Sequence, residues 1–522
     1  MTTTQTCTVA APPELVDLGT RLTSMPMDEP RNLRLNDSEG GVSKSRTWAI
    51  IVCVTSATAL GSFLNGIISV SLPSLTADLN LEPALMLWPA SIFSLTCGCT
   101  LLLCGALADL LGARSVYATG CFLQAVFSMA CGLATTGPQI IAFRGFSGIA
   151  ISMCLPTAVS LITASFPSGK KRNIGFACMG GGQTVGFSLG LALGGVFVDT
   201  IGWRWSFHIG AVLSGTILVV ALWALPRPQN LEPVTWKRLV SEVDWVGALL
   251  CSLALSMCSY VLASITRNIR AIAQPANIVL LVLSAVTAAA FVVCVGRRER
   301  LGKPAIIPNS LWKNKLFTSV CINVFLVYGA GNATETLSSF YYQYVQSLSA
   351  TATSVRMLPI PIGGTLSNIV MALTVHLIRA DMASFAAVGI AMVTPVLMAN
   401  ADPSWTYWVC CFPAMLVNAV GMNAMYTISN LVITSLFPPQ TQGVAGGVYN
   451  TIAQIGRSVG VTTSALIAST TTVQLVAGDP TPKTLLTGYQ AAWWYSLGLY
   501  GVAMVIILWG LRNVGKVGAK KD

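Results

Sequence analysis

The stretch ANIVLLVLSAVTAAAFVVCVGRRER, residues 276–300, shows the pattern that decides the fold of this chain. Residues 276–296 carry no charged side chain, and Arg297, Arg298 and Arg300 follow directly. A helix needs about 20 apolar residues to cross the roughly 30 Å hydrocarbon core of a bilayer. Basic side chains beside such a run are typical of its cytoplasmic end. The stretch therefore predicts a transmembrane helix that ends in the cytoplasm.

The composition of the whole chain also indicates that the protein lies in a lipid bilayer. Of its 522 residues, 54% are hydrophobic and only 9% are charged, whereas about 25% of residues are charged in soluble domains. The net charge of +11 comes from short basic clusters between apolar runs, with no basic face and no nucleic-acid motif. We therefore expect a lipid bilayer as the surroundings and no nucleic acid as a partner.

Long apolar runs recur along the chain and predict 14 transmembrane segments. In lipid, only helices and closed barrels satisfy all backbone groups, and uninterrupted runs of this length favour helices. The fold class is therefore an all-α membrane protein. The predicted spans are 48–70, 85–107, 115–134, 139–163, 176–198, 206–225, 244–264, 276–296, 316–342, 354–378, 383–400, 406–430, 444–470 and 489–511.

The distribution of basic residues predicts the orientation of these spans. With the N-terminus in the cytoplasm, 23 of the 30 lysines and arginines fall on the cytoplasmic side. Both termini are therefore predicted to be cytoplasmic. Residues 1–47 form a polar N-terminal tail without the apolar core of a signal peptide, and we expect it to be disordered. Residues 512–522 form a short cytoplasmic C-terminal tail.

The predicted loop after span two is a candidate conformational motif. It contains Gly105, Asp109, Gly112 and Arg114 within ten residues. Its glycines allow close approach of the backbone, and its charges can pair with each other or with helix termini. The alternative is an ordinary tight turn.

Span four carries a charged residue inside an apolar run. Arg144 follows Ile141-Ala142-Phe143, and an arginine in hydrocarbon costs about 2.5 kcal/mol or more. We therefore expect Arg144 to face a cavity or a partner. The alternative is an arginine that reaches the membrane interface.

Span five carries glycines at regular spacing. Gly186, Gly190 and Gly194 follow one another at intervals of four, and Gly195 is adjacent. This spacing places a groove along one helix face, into which a neighbouring helix can pack closely. Whether the contact also moves is left open by the sequence.

Span nine contains the only carboxylate well inside a predicted span. Tyr328, Asn332 and Glu335 are spaced to share one helix face. An acidic residue within the membrane is by default a functional candidate, and carrying a proton is its usual role. The alternatives are that Glu335 lies in a wet outer vestibule or pairs with Arg356.

Span thirteen carries a polar stripe. Asn450, Gln454 and Arg457 are spaced to share one face, which is too polar to face lipid. We expect it to line a cavity or to meet another helix.

The sequence offers no constellation for catalysis or metal binding. The chain has only two histidines, His208 and His376, and its 15 cysteines lack convincing metal spacing. Gly169-Lys170 lacks the upstream glycine of a nucleotide-binding loop. We therefore expect no enzyme, no metal and no cofactor.

Together these segments resemble the major facilitator superfamily, and within it the fungal branch of 14-helix drug:proton antiporters. The resemblance runs from about Trp48 to Leu511. The matching segments are Gly105–Arg114, Ile141–Gly148 around Arg144, Gly186–Gly195 with Trp203-Arg204-Trp205, Asp244-Trp245-Val246-Gly247, Tyr341-Tyr342-Gln343, and Gln442-Gly443 with Gly456.

The resemblance implies a specific domain organisation. Two six-helix bundles, 48–225 and 316–511, are joined by a linker, 226–315, that carries two inserted helices. It also implies a central site that opens alternately to each side of the membrane. The segment around Arg144 is similar to the helix-four motif implicated in proton transfer, and 186–195 is similar to the antiporter motif.

The chain departs from this branch at five positions, of which Leu110 and Ala113 stand in the loop signature where basic residues are usual. Asn65 and Asn423 stand where an acid is frequent, and Leu191 stands where a proline is usual. Because these two acids are missing, Glu335 and Arg144 are the residues that we expect to couple transport to protons.

The leading interpretation is a monomeric secondary transporter that exports a small organic compound, such as a drug, toxin or secondary metabolite, by proton antiport. Few charges lie in the spans, which suits an apolar or amphipathic substrate better than an ion. The alternative is an uncoupled or vacuolar transporter of a nutrient such as an amino acid. We expect the plasma membrane as its location, with the vacuolar membrane as the alternative.

Overall fold

The computed structural model describes residues 44–82, 85–166, 170–225, 243–267, 273–303, 305–374, 377–437, 439–475 and 481–512. Nearly all of these residues are helical. The helices are α1 (Lys44–Asp78), α2 (Trp88–Leu111), α3 (Ala113–Leu133), α4 (Gly137–Ser165), α5 (Lys170–Thr200), α6 (Trp203–Ala224), α7 (Trp245–Arg267), α8 (Pro275–Arg300), α9 (Lys315–Phe340), α10a (Ala350–Met357), α10b (Pro359–Thr374), α11 (Ala380–Ala399), α12 (Cys411–Leu436), α13 (Pro439–Leu475) and α14 (Pro482–Gly510).

With α10a and α10b counted as one broken span, the prediction of 14 transmembrane helices is confirmed. Eleven of the helices are long and apolar enough to cross a membrane, and α7, α10 and α13 complete the set. The break in α10 falls before Pro359, and Pro361 follows in the same turn. Proline has no N–H to donate to the preceding turn, so a helix that continues through both positions loses backbone hydrogen bonds.

The two six-helix halves have the same pairing of helices. In the first half, α1 packs on α5 and α6, α2 packs on α4, and α3 packs on α4 and α6. In the second half, α9 packs on α13 and α14, α10b packs on α12, and α11 packs on α12 and α14. Each helix of the second half thus packs in the same way as the helix eight positions earlier in the chain. This matching confirms the predicted fold class of two bundles.

The main contacts between the halves are α2 with α13, α5 with both parts of α10, and α1 with α9 and α10a. The helices α7 and α8 pair with each other, and α7 packs on α2 and α13, outside both bundles. Parts of three predicted segments lie outside the described residues: 1–43 of the N-terminal tail, 226–242, 268–272 and 304 of the linker, and 513–522 of the C-terminal tail.

The two ends of the molecule are named by the helix ends that lie there. We call the outer end the end at which α1 finishes at Asp78 and α2 begins at Trp88. The distribution of basic residues predicts that this end faces away from the cytoplasm.

Candidate functional site

The carboxyl group of Glu335 lies in the interior of the molecule. Its residue is 6% exposed, and Oε1 is 3.0 Å from Oγ of Ser69. Glu335 belongs to α9 in the second half, and Ser69 belongs to α1 in the first half. The ion pairs among the described residues are Arg204–Asp78, Arg298–Asp244 and Arg379–Asp381, so none of them involves Glu335. A hydroxyl group of one half therefore contacts a buried acid of the other.

Ser69 connects Glu335 to two polar residues of the first half. Its Oγ is also 3.0 Å from the backbone oxygen of Asn65. The side-chain oxygen of Asn65 accepts a hydrogen bond from Nη2 of Arg144 at 3.4 Å. These four residues form what we call the polar chain: Arg144, Asn65, Ser69 and Glu335. It spans three helices, α4, α1 and α9.

Arg144 is enclosed by the first half. It is 1% exposed, its Nε donates to the backbone oxygen of Pro89 at 3.0 Å, and its guanidinium lies 4.4 Å from the centre of the Phe93 ring. A side chain that reached the membrane interface would be exposed instead. The guanidinium is thus paired with neutral acceptors and an aromatic face, which supports its charge inside the bundle.

The polar stripe of α13 approaches this region from a third side. Arg457 lies close enough to act electrostatically on Glu335 and Tyr328, and its Nε is buried without a hydrogen-bond partner. Gln454 packs against α2, where a Cβ at Gly98 would be 3.1 Å from the Cβ of Gln454. Asn450 is turned back on its own helix, because its Nδ2 donates to the backbone oxygen of Gly446 at 2.9 Å. Of the three predicted residues, Arg457 is the one near the polar chain.

Two other predicted residues of the second half, Asn332 and Asn423, lie apart from the polar chain. Nδ2 of Asn332 donates to the backbone oxygen of Tyr328 at 2.9 Å and to Sδ of Met422 at 3.4 Å, so Asn332 faces α12 rather than α1. Asn423 of α12 faces α10b, where a Cβ at Gly364 would be 2.6 Å from its Nδ2.

The alternative pairing of Glu335 with Arg356 is not present. Nη1 of Arg356 instead donates to Oε1 of Gln346 at 2.5 Å.

The loop after α2 makes its contact with α6. Gly112 has a φ of +86°, a conformation that favours glycine. The guanidinium of Arg114 donates to the backbone oxygen of Leu222 near the end of α6. Asp109 is exposed, and Gly105 makes only ordinary contact with Pro156. The loop thus fixes α3 against α6 within the first half.

The glycines of α5 divide between two neighbours. A Cβ at Gly186 would be 2.1 Å from the backbone oxygen of Ala59, and one at Gly190 would be 2.1 Å from that of Phe63. One at Gly194 would be 3.0 Å from Cα of Ile67, so all three pack on α1. Gly195 faces the other half, where a Cβ would be 2.5 Å from the backbone oxygen of Ala350 in α10a.

The contact between α5 and α10a joins the two halves at the outer end. The carboxylate of Asp199 accepts hydrogen bonds from the backbone nitrogens of Ala350 at 3.3 Å and Thr351 at 2.7 Å. Oγ of Ser354 donates to the backbone oxygen of Leu191 at 2.6 Å. Asp199 thus caps the first turn of a helix in the opposite half, where a negative charge is favourable. We call this set of contacts the outer latch.

Two further hydrogen bonds join α1 to the turn after α9, near the same level. Nε2 of Gln343 donates to the backbone oxygen of Val70 at 2.9 Å, and the hydroxyl of Tyr344 donates to that of Pro73 at 3.2 Å. The halves are therefore joined at the outer end by side chains that bond to backbone atoms.

Sequence reasoning misses Ser69, Ser354 and Asp199. A serine within a span is common and carries no signal of its own. Asp199 lies at a span end, where an acid is unremarkable unless its partner in the other half is known.

Together, the fold and the site define a class of protein. Two halves with matching helix pairs, a buried acid bonded across them, and a broken helix at their contact are typical of α-helical secondary transporters. The chain belongs to the Major Facilitator Superfamily, whose family model matches residues 54–461.

Several curated proteins are similar over most of the chain. MFS-type transporter 1 of Pyricularia oryzae is 35% identical and covers 98% of this chain and 92% of its own length. Efflux pump terJ of Aspergillus terreus is 23% identical over 81% of this chain and 79% of that protein. The low affinity ammonium transporter of Saccharomyces cerevisiae is 23% identical over 80% and 79%. Fungal transporters and efflux pumps are thus among its relatives.

Solved structures show the same fold. A bacterial homologue of the human lysosomal transporter Spinster, in an inward-facing and unoccupied conformation, gives a TM-score of 0.63 at 15% identity and covers 90% of this chain and 98% of that one. A structure of a proton dependent oligopeptide transporter gives 0.63 at 14% identity, over 89% and 98%.

Proposed function

We propose that this transporter exports a small organic compound in exchange for protons, and that Glu335 carries the proton. The observation that carries the proposal is the buried Glu335 carboxyl group, bonded across the two halves by Ser69. A carboxyl group at this position gains or loses its charge in a low-dielectric interior, where the charge has large effects on nearby contacts. A proton taken up there can therefore change the contact between the halves.

The hydroxyl group of Ser69 supplies a physical link between protonation and this contact. It has one proton, but two acceptors lie 3.0 Å from its oxygen, namely the Asn65 carbonyl and Glu335. A protonated Glu335 donates to Ser69, which then donates to Asn65, so every group is satisfied. An ionised Glu335 takes the Ser69 proton for itself, and the Asn65 backbone oxygen then keeps only its own helix hydrogen bond. The arrangement in which both bonds are made therefore suits the protonated acid.

Alternating access requires that the contacts at the outer end form and break. In the conformation described here the outer latch is closed, and Glu335 lies beneath it in the interior. We propose that protonation of Glu335 favours this closed arrangement, and that loss of the proton to the cytoplasm weakens it. A unit charge that crosses the membrane contributes about 2.3 kcal/mol per 100 mV to such a cycle.

The substrate class rests on two supports. Apart from Arg457, the described interior around the polar chain is built largely of apolar and neutral side chains, which suits an apolar or amphipathic compound. Two relatives are named efflux pump terJ and methylenomycin A resistance protein, and both names point to the removal of organic compounds. We propose that the protein acts as a monomer in the plasma membrane, with both termini in the cytoplasm.

Everted membrane vesicles test the proton role. Wild-type protein should accumulate a lipophilic dye such as rhodamine 6G when a pH gradient is imposed, and Glu335→Gln should abolish this accumulation. Dye counterflow without a gradient should persist in the variant, because the substitution removes the titratable proton and leaves the substrate path intact. Asp402→Asn removes an exposed loop acid and serves as the control. Gradient-driven accumulation at the wild-type rate in Glu335→Gln would show that another group carries the proton.

A second candidate is the uncoupled or vacuolar transport of a nutrient. Asn65 and Asn423 stand where this branch often has acids, and one relative is named as a low affinity ammonium transporter. Uptake that is unchanged when the proton gradient is collapsed with an ionophore would favour this candidate over antiport.

A further inference from the structure

A cavity lies at the outer end of the second half, apart from the polar chain. Its volume is about 640 Å³, within the roughly 300–1,000 Å³ range of small-molecule sites. The turn after α9, the end of α10a and the loop between α11 and α12 form its walls. Its lining includes Gln346, Leu348, Arg356, Trp405, Tyr407 and Trp408.

Arg356 brings a positive charge to this cavity, and no acidic side chain of the described residues forms an ion pair with it. The three ion pairs found among the described residues do not include it. Its Nη1 donates to the neutral amide of Gln346 at 2.5 Å, and its guanidinium lies 5.4 Å from the centre of the Tyr407 ring. A guanidinium has five N–H donors in a planar fork, so most of its capacity is left for a ligand.

We infer that this cavity binds an organic anion with a planar aromatic body, taken from the outer side. A carboxylate matches the guanidinium fork and forms two parallel charge-assisted hydrogen bonds. Trp405, Tyr407 and Trp408 line the same space and supply aromatic surface for a flat ring. A phospholipid head group shares the anionic chemistry, but three aromatic side chains from one loop fit a flat ring better than an acyl chain.

The cavity is continuous with the outer latch. Gln346 and Leu348 lie in its wall, and Ser349, the next residue, accepts from the backbone nitrogen of Ala352 at 3.2 Å to cap α10a. Asp199 caps the same helix from the other half. A ligand that orders this turn should favour the closed latch, and by linkage the latch should raise the affinity for the ligand.

Equilibrium dialysis of the purified full-length protein tests the site, with 2-naphthoate as the anion and 2-naphthamide as its neutral isostere. We expect wild-type protein to bind 2-naphthoate at least tenfold more tightly than the amide, a difference of about 1.4 kcal/mol. Arg356→Gln should lose this preference, and Arg356→Lys should retain part of it. Arg379→Gln, which removes an exposed arginine paired with Asp381, should bind like wild type.

Three results would overturn the proposal. Equal binding of anion and amide would show simple partition into apolar surface. Naphthoate binding unchanged in Arg356→Gln would place the anion elsewhere. Loss of naphthoate binding in nanodiscs of phosphatidylglycerol, with full binding in those of phosphatidylcholine, would assign the cavity to a lipid head group. The comparison of the two ligands on wild-type protein remains decisive if Arg356→Gln fails to fold.

Discussion

Ser69 can be tested apart from Glu335, because α1 offers a matched serine two residues away. Ser71 is fully buried, and its hydroxyl has no hydrogen-bond partner. With Glu335 protonated, this hydrogen bond joins neutral groups and contributes about 0.5–1.5 kcal/mol, so Ser69→Ala should slow gradient-driven transport roughly two- to tenfold. Ser71→Ala should leave the rate unchanged. Equal rates for Ser69→Ala and wild type in the vesicle assay would remove Ser69 from the coupling step.

At this scale the sequence shows which residues are unusual but not what they touch. Glu335 and Arg144 stand out because a charge inside an apolar run is costly. Ser69 does not stand out, and it lies 266 residues from its partner. The spacing of Asn332 and Glu335 predicts one shared face of α9, yet they contact α12 and α1. When a helix packs on several neighbours, polar residues of one face contact different neighbouring helices. Which helix each residue contacts depends on the packing.

At the scale of elements, the close approach of α1 and α5 depends on single glycines. A Cβ at Gly190 would lie 2.1 Å from a backbone oxygen of α1, whereas one at Gly180 on the same helix meets nothing within 4 Å. Gly190→Ala should lower the free energy of unfolding by about 1–3 kcal/mol, as overpacking does. Gly180→Ala should be neutral or stabilising by up to about 1 kcal/mol, because alanine favours helix. Thermal unfolding in detergent measures both, and equal effects would contradict the proposed contact.

The spacing of these glycines predicts a groove without naming the helix that fills it. Gly186, Gly190 and Gly194 face α1, but the adjacent Gly195 faces α10a of the other half. Adjacent residues of a helix point in directions about 100° apart, so one motif serves both the packing of a half and the contact between halves. The sequence alone does not separate these two roles.

At the scale of the whole molecule, the number of helices follows from the sequence, because hydrocarbon thickness and basic clusters limit each span. The two-bundle organisation follows from the resemblance to the Major Facilitator Superfamily. The arrangement of the two halves relative to each other does not follow from the sequence. It depends on contacts between the halves such as Asp199 with the start of α10a and Ser354 with Leu191. Each such bond contributes about 0.5–3 kcal/mol, so a few of them decide which end is closed.

Asp199 therefore offers a test of the closed outer end as a whole. Asp199→Ala removes both cross-half bonds to Ala350 and Thr351, and losing such a cap costs about 0.5–2 kcal/mol. We expect the amides at the start of α10a to exchange with deuterium roughly two- to thirtyfold faster in this variant, in line with that cost. Asp402→Ala is the matched control, since Asp402 also accepts from a backbone nitrogen, that of Ser404, but within its own loop. Hydrogen-exchange mass spectrometry of both variants should show faster exchange at α10a only for Asp199→Ala. Unchanged exchange there would mean that the outer end is held closed without this latch.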